Sequence, residues 1–128
     1  MLNNLFVYGS LRSECDNAHV RKLKKEAKSL GHASVRGSLF RVGEFSGYRR
    51  EPDGVVHGEI WQLPNPALTF AELDGYEGAE YNRIAVPAFL SGESGETSGE
   101  TIVDVWIYMF AGSIAPEARI SSGNFLAP

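Results

Sequence analysis

The chain has 128 residues, of which 43% are hydrophobic and 22% charged, and both fractions are close to the averages of globular domains. This length is enough to bury one ordinary core, so a single domain over residues 1–128 is expected. The formal net charge of −4 argues against nucleic-acid binding through overall charge and favours a small solute as partner.

Cysteine content and hydropathy predict a compartment. Cys15 is the only cysteine, which excludes an internal disulfide and any multi-cysteine metal site. The N-terminal segment lacks the pattern of a cleaved leader, and no apolar run approaches the roughly 18 residues of a membrane-spanning helix. The sequence therefore predicts a cytoplasmic protein that does not associate with membranes.

The first predicted element is a short buried strand, Leu5–Tyr8, that ends at Gly9. Glycine permits a sharp backbone turn there, so the N–H groups of Gly9, Ser10 and Leu11 can point into one concavity. Such a set of amides can hold a carboxylate or a carbonyl oxygen. Taken alone, this signal is weak, because a short apolar run that ends in Gly-Ser is more often only a strand and its turn.

The second predicted element is a helix over Asp16–Leu30, capped by Asp16 or Asn17 and ended by Gly31. Its five positive charges indicate a solvated face rather than a surface for phosphate or nucleic acid, because no aromatic residue or glycine-rich loop accompanies them. The helix has one apolar face, made of Val20, Leu23, Ala27 and Leu30.

Short strands with frequent glycines are predicted over residues 33–42 and 54–63, which favours a curved sheet or a small barrel. A short helix, Ala67–Asp74, follows, and two strands, Arg83–Leu90 and Thr101–Phe110, complete the pattern. The Ser-, Gly- and Glu-rich segment Ser91–Glu100 between them predicts a mobile, exposed hairpin loop. The remaining tail is loop-like, with a turn at Ser121–Phe125 that is able to fold back over a pocket.

The segment Leu73–Arg83 has the densest set of functional residue types. A carboxylate in it, if partly desolvated, would have a raised pKa and would suit proton transfer near neutral pH. The alternative is structural: Asp74 and Glu77 cap turns and Arg83 neutralises them. The residues alone leave both interpretations open.

Four motifs in order resemble the gamma-glutamylcyclotransferase-like, or AIG2-like, family. They are Tyr-Gly-Ser-Leu at 8–11, Val-His-Gly-Glu-Ile-Trp at 56–61, Leu-Asp-Gly-Tyr-Glu-Gly at 73–78 with Tyr-Asn-Arg at 81–83, and Trp-Ile-Tyr at 106–108 with Ile-Ser-Ser-Gly at 120–123. The resemblance covers nearly the whole chain. It implies an α+β fold, a small mixed β-barrel with flanking short helices, and no metal or organic cofactor.

The resemblance also implies a reaction and a site. Similar enzymes cyclise a gamma-glutamyl group to 5-oxoproline and release the attached amine. By position, Glu77 is the general acid and base, and the 8–11 motif supplies Tyr8, Gly9, Ser10 and Leu11 as substrate-binding residues. Tyr81 and Arg83 are further candidates for substrate binding. The expected partner is a small gamma-glutamyl substrate, and the expected assembly is a monomer or homodimer.

Three other groups compete for a chemical role. Glu59, in a predicted strand, either faces the pocket as a second carboxylate or forms a salt bridge with Arg83. Cys15 has no His or acid tied to it by a motif, which favours a structural thiol. The histidines lack metal-ligand spacing and indicate ordinary surface or turn residues. They are His19, His32 and His57.

Two departures from the family leave the substrate open. The first motif lacks the Asn of Tyr-Gly-Ser-Asn-Leu, which is similar to the short bacterial and gamma-glutamylamine-type branch. Glu44–Tyr48 stands where relatives have a Tyr-Pro-Gly turn, so the rim loop is expected to differ. The leading hypothesis is a cyclotransferase acting on a gamma-glutamyl amine or amino acid. The alternatives are a non-catalytic small-ligand binding or regulatory module and, least favoured, a nucleic-acid or partner-binding domain using the basic helix.

Overall fold

The computed structural model describes residues 2–90 and 101–127, which form two helices and seven strands around a closed barrel. In chain order, the elements are β1 Asn4–Val7, α1 Ala18–Glu26, β2 Lys28–Arg36, β3 Ser38–Val42, β4 Phe45–Arg49, β5 Val55–Gln62, α2 Pro66–Glu77, β6 Tyr81–Leu90 and β7 Thr101–Phe110, followed by a 3-10 turn at Pro116–Ala118.

Five strands close the barrel in the order β1-β5-β2-β6-β7, and β7 returns to β1. The closing pair is parallel, with Leu5 opposite Trp106, whereas the other four pairs are antiparallel. The β3–β4 hairpin extends the sheet from β7 through a parallel bridge between Tyr48 and Met109. This mixed barrel with two short helices confirms the predicted fold class.

Strand β1 separates two layers of apolar side chains. Because side chains alternate along a strand, Phe6 and Tyr8 pack in the core cluster of the barrel, whereas Leu5 and Val7 pack in the cluster with residues of the helices. Gly58 on β5 allows the close approach of β1, since a Cβ there would lie 2.6 Å from Cζ of Phe6. The end of β1 is therefore fixed from both layers.

Helix α1 begins as predicted and ends earlier. Asn17 is the N-cap, and its side-chain oxygen accepts a hydrogen bond from the Val20 amide at 2.9 Å. The prediction that the helix continues to Leu30 is wrong, because Lys28–Arg36 pairs with β5. Gly31, with φ of 95°, lies where the β2–β5 register shifts, so its glycine conformation serves a strand irregularity rather than a helix end.

Helix α2 is longer than the sequence predicts. It runs three residues past Asp74, and Gly75 lies inside it. The helix ends at Gly78, whose φ of 96° favours glycine and whose N–H donates to the Asp74 carbonyl oxygen at 3.2 Å. Glu77 is consequently the last helical residue and does not lie in a loop.

The structure confirms the predicted strand β7 and changes the predicted bounds of β6 and the predicted rim loop. Strand β7 has the predicted bounds, and β6 begins two residues early, at Tyr81. The predicted rim loop at Glu44–Tyr48 is largely strand, because Phe45–Arg49 pairs with β3. The predicted loop Ser91–Glu100 lies outside the described residues.

The C-terminal tail packs on the barrel. The Ile120 amide donates to the Leu39 carbonyl oxygen, and the His57 amide donates to the Gly123 carbonyl oxygen, both at 2.8 Å. No helix in the described part of the chain is long and apolar enough to cross a membrane.

Candidate active site

A cavity of about 110 Å³ lies between the turn after β1, the start of β4 and the end of α2. Of the residues predicted for the site, all but Arg83 line it. The lining residues are Phe6, Val7, Tyr8, Gly9, Ser10, Leu11, Phe45, Ser46, Tyr76, Glu77, Tyr81 and Tyr108.

The turn after β1 is held through its carbonyl groups. The Gly9 oxygen accepts from the Arg12 amide at 3.1 Å, the Ser10 oxygen from the Asn17 side chain at 2.8 Å, and the Leu11 oxygen from the Trp61 indole at 3.0 Å. In the described part of the chain, the amides of these three turn residues have no hydrogen-bond acceptor. The carbonyl groups of the turn are therefore held by the protein, whereas its amides make no hydrogen bond there that a ligand would have to replace.

Arg12 completes this support from within the protein. It is 3% exposed, and its guanidinium donates to Asn124 and to Glu14, both at 2.8 Å. The Asn124 contact brings the predicted tail turn against the 8–12 segment, as expected of a turn that folds back. However, none of residues 121–125 lines the cavity.

Glu77 supplies the only charged side chain among the described residues that line the cavity. It is half-buried and has no hydrogen-bond partner in the described structure, and burial raises its pKa to about 7. Its position at the carboxyl end of α2 also disfavours an ionised carboxylate, because the helix dipole is negative there. Glu77 can therefore both accept and return a proton near neutral pH.

Two tyrosines beside Glu77 donate their hydroxyl hydrogen bonds to backbone carbonyl oxygens. The Tyr8 hydroxyl donates to the Tyr108 carbonyl oxygen at 2.6 Å, and the Tyr81 hydroxyl donates to the Ser46 carbonyl oxygen at 2.8 Å. Burial, and then the charge of Glu77, raises the pKa of both phenols, to about 12 for Tyr81. These phenols are thus neutral, fixed walls rather than proton donors near neutral pH.

Arg83, which is predicted to bind substrate, does not line the cavity. Its guanidinium donates twice to Asp74, at 3.2 Å each, and stands over the rings of Phe70 and Trp106 at 4.0 and 4.8 Å. A cation paired and stacked in this way is held on the outer layer of the barrel. The structural interpretation of Arg83, that it neutralises Asp74, fits these contacts.

The competing groups do not line the cavity either. Glu59 is 6% exposed and accepts from the Ser13 amide at 2.7 Å and the Ser29 hydroxyl at 2.8 Å, so it neither lines the cavity nor pairs with Arg83. Cys15 donates to the Gly9 carbonyl oxygen at 3.7 Å, and burial raises the pKa of its thiol, which disfavours a nucleophilic thiolate. Within the described ranges, no cluster of His, Cys, Asp and Glu is suited to a metal ion.

Two exposed aromatic rings flank the cavity and were not among the predicted site residues. Tyr76 is 37% exposed, and its hydroxyl shares a 3.0 Å hydrogen bond with the Ser10 hydroxyl, while its ring lies 4.1 Å from that of His19. Phe45, at the start of β4, is 54% exposed. Tyr76 directly precedes Glu77, which was a usable signal, whereas Phe45 reaches the cavity only through long-range strand pairing.

Comparison with known proteins identifies close architectural relatives. The profile of the family described as gamma-glutamyl cyclotransferase, AIG2-like, matches residues 5–127. A relative from Citrobacter rodentium, the gamma-glutamylcyclotransferase family protein ytfP, is 30% identical over 125 residues, which cover 95% of this chain and 94% of that protein.

Two solved structures support the same fold. The solution structure of protein ytfP from Escherichia coli has a TM-score of 0.61 and 28% identity, and the match covers 97% of this chain and 96% of that one. The crystal structure of YkqA from Bacillus subtilis has a TM-score of 0.70 and 26% identity over 98% of this chain, which spans 40% of YkqA.

Proposed function

Because the chain belongs to the gamma-glutamyl cyclotransferase, AIG2-like family, we propose that it converts a gamma-glutamyl amine to 5-oxoproline and the free amine. One observation carries this proposal. Glu77, a carboxyl group with a pKa of about 7 and no hydrogen-bond partner among the described residues, shares a cavity with a turn whose amides lack acceptors there.

Proton transfer is the first requirement of the reaction. The substrate's α-amine is an ammonium at neutral pH, and it attacks its own γ-carbonyl carbon only after Glu77 has taken one proton. The new ring C–N bond forms first and gives a tetrahedral intermediate, and the amide C–N bond breaks when the carbonyl group re-forms. Glu77 returns its proton to the departing nitrogen. Glu77 then takes the second surplus proton from the ring nitrogen and passes it to the released amine, which leaves as an ammonium.

Charge on the carbonyl oxygen is the second requirement. That oxygen becomes negative in the tetrahedral intermediate, and the amides of Gly9, Ser10 and Leu11, which lack acceptors in the described structure, are candidate donors to it. Their carbonyl groups are already bonded elsewhere, so the turn does not need to rearrange when charge develops. One such donor typically contributes about 3 kcal/mol to the transition state.

The shape of the cavity fits an intramolecular reaction. Ring closure needs the glutamyl chain folded, and a small cavity walled by committed tyrosines holds a chain in one conformation. The described lining includes no Lys, Arg or His. The α-carboxylate that every gamma-glutamyl group carries can be bound there only by neutral donors such as the turn amides, and a second carboxylate on the leaving half would add negative charge near Glu77 without a compensating cation, which favours amines over amino acids.

The test is a panel of gamma-glutamyl compounds in which the leaving half is an amine, an amino acid or a dipeptide. We expect release of 5-oxoproline, fastest with amines, and loss of this release in Glu77→Gln with an unchanged circular dichroism spectrum. Near-full turnover by Glu77→Gln would refute the assigned base. Calorimetric binding without any product would instead favour the non-catalytic module.

The pH dependence of turnover gives an independent check on Glu77. Since the base must be ionised to accept the ammonium proton, kcat/KM is expected to rise with pH through the Glu77 pKa of about 7 in the free protein and then level off. Below that value the rate should fall about tenfold per pH unit. A profile that stays flat between about pH 5 and 8 would contradict the role of Glu77 as base.

A further inference from the structure

The last turn of α2 is fastened to β7 by a short hydrogen bond. The Tyr108 hydroxyl donates to Asp74 Oδ1 at 2.6 Å, and the neighbouring Arg83 guanidinium holds both oxygens of the same carboxylate. The Arg83 hydrogen bonds lower the pKa of Asp74 most. The Tyr108 hydrogen bond lowers it further, whereas burial acts in the opposite direction, and the pKa stays below its usual range. A charged acceptor makes such bonds stronger than neutral ones.

Asp74 is also tied to the end of the helix. It lies three residues before Glu77, so the two side chains are neighbours on one turn of α2. The Asp74 carbonyl oxygen accepts from the Gly78 amide, which closes the helix directly after Glu77. A displacement of Asp74 therefore moves the backbone that carries the carboxylate of Glu77.

Tyr108 reaches the other half of the site as well. Its carbonyl oxygen accepts from the Tyr8 hydroxyl at 2.6 Å, at the start of the turn that presents the free amides. A single residue of β7 thus contacts the turn through its backbone and the end of α2 through its side chain. Tyr108 is buried, so its end of both contacts is shielded from water, whereas the Asp74 side chain is 48% exposed.

We propose that Asp74, Arg83 and Tyr108 form a brace that positions Glu77 against the 8–11 turn, and that Arg83 acts in this brace rather than on substrate. Stacking on Phe70 and Trp106 fixes the plane of the Arg83 guanidinium, which suits it to orient Asp74. The brace residues are positioning residues. The kinetic part of the inference rests on the proposed cyclotransferase function.

A matched pair on one helix tests the brace. Asp74 and Glu72 are both ion-paired carboxylates of α2 that do not line the cavity, but Glu72 pairs with Lys22 of α1 at 2.7 Å and has no hydrogen bond to β7 among the described residues. Asp74→Ala is expected to lower kcat by about 10- to 100-fold with KM within about twofold, because the reacting group is misplaced. Glu72→Ala should leave kcat within about twofold.

A second pair removes one hydroxyl from a buried ring. Tyr108→Phe deletes the bond to Asp74, while Tyr48→Phe deletes a bond of equal length, 2.6 Å, from the Tyr48 hydroxyl to the Arg36 carbonyl oxygen outside the cavity. Tyr108→Phe should lower kcat about tenfold and Tyr48→Phe should leave it unchanged, even where both lose stability. Equal changes of kcat in the two variants would show that the Tyr108 hydrogen bond acts only on the stability of the fold and does not position Glu77.

Arg83→Lys distinguishes positioning from substrate binding. Lysine keeps the charge and loses the two-pronged contact with Asp74, so a brace predicts a lower kcat, and a substrate contact predicts a higher KM with kcat preserved. A rise in KM alone would overturn the proposed role of Arg83.

A readout without turnover separates this inference from the proposed function. If the wild-type protein releases no 5-oxoproline, the function fails, and the brace is then judged by NMR titration of the Glu77 side chain. We expect the midpoint to move from about 7 toward the ordinary 4.5 in Tyr108→Phe and Asp74→Ala, with faster exchange of the Gly78 amide. Unchanged midpoints in both variants would overturn the brace.

Discussion

Two carboxylates near the 8–12 segment differ in what surrounds them. Glu59, on β5, is buried and accepts hydrogen bonds from the Ser13 amide and the Ser29 hydroxyl. Glu77, at the end of α2, faces a cavity and has no hydrogen-bond partner among the described residues. Both carboxylates are therefore at least partly removed from water, but only Glu59 accepts hydrogen bonds from the described residues.

This difference decides which carboxylate is suited to chemistry. Hydrogen bonds to a carboxylate stabilise its charged form and fix it as a structural acceptor. Desolvation without such bonds stabilises the neutral form and brings the pKa of Glu77 close to neutral pH, where a group exchanges protons with a substrate most effectively. Glu59 joins segments of the fold, and Glu77 is free for a ligand.

Removing each charge should produce the largest contrast. Glu77→Gln keeps the side-chain volume but cannot take a proton, so kcat is expected to fall about 10³-fold. Glu59→Gln keeps an oxygen that accepts from Ser13, and kcat should change less than about threefold. Measuring 5-oxoproline release by both variants checks this. Similar losses in the two would mean that Glu59 takes part in the reaction.

Stability should respond in the opposite order. Glu59→Leu removes the buried carboxylate that accepts from the partly exposed Ser13 amide and the exposed Ser29 hydroxyl, which is expected to lower the free energy of unfolding by about 1–2 kcal/mol. Urea denaturation at neutral pH measures this, with Glu59→Gln as the milder control. Equal stability of Glu59→Leu and the wild type would show that water replaces the carboxylate at both donors.

The fold could be predicted from the sequence where local signals agree. The apolar run Thr101–Phe110 marks β7 to the residue, and Asn17 is recognisable as a cap. Prediction failed where distant partners decide the structure. Lys28–Leu30 continues a helical pattern but is held in a strand by β5, and the weak pattern of β4 becomes a strand through pairing with β3 and β7.

The site was only partly accessible to the same reasoning. The residues left Glu77 ambiguous between a turn cap and a base, and the family resemblance favoured the base. Nothing in the chain order brings Phe45 and Ser46 to the cavity, since they arrive through the β4–β7 pairing. The family resemblance made Arg83 a candidate for substrate binding, but Arg83 pairs with Asp74 and stacks on Phe70 instead of lining the cavity.

The smallest expected effect is a gain in stability from losing the carboxylate of Glu77. Its pKa is about 7 in the folded protein and ordinarily 4.5, so between these values the unfolded chain has released a proton that the folded protein still holds. The stability of the wild type therefore falls as pH rises through this window. Glu77→Gln lacks this pH dependence, because glutamine does not ionise. The variant should unfold like the wild type at about pH 4 and be more stable by about 1–2 kcal/mol at about pH 8.

The Lys22–Glu72 pair supplies the control of opposite sign. The hydrogen bond from Lys22 lowers the pKa of Glu72, so the ionised carboxylate of Glu72 stabilises the folded protein at pH values above its ordinary pKa. Glu72→Gln should therefore lose rather than gain stability at neutral pH. Urea denaturation of the wild type, Glu77→Gln and Glu72→Gln between about pH 4 and about pH 8 shows whether the two substitutions change stability in opposite directions. If Glu77→Gln shows no gain above pH 7, the Glu77 carboxylate is well solvated in the cavity, and the physical distinction between it and Glu59 disappears.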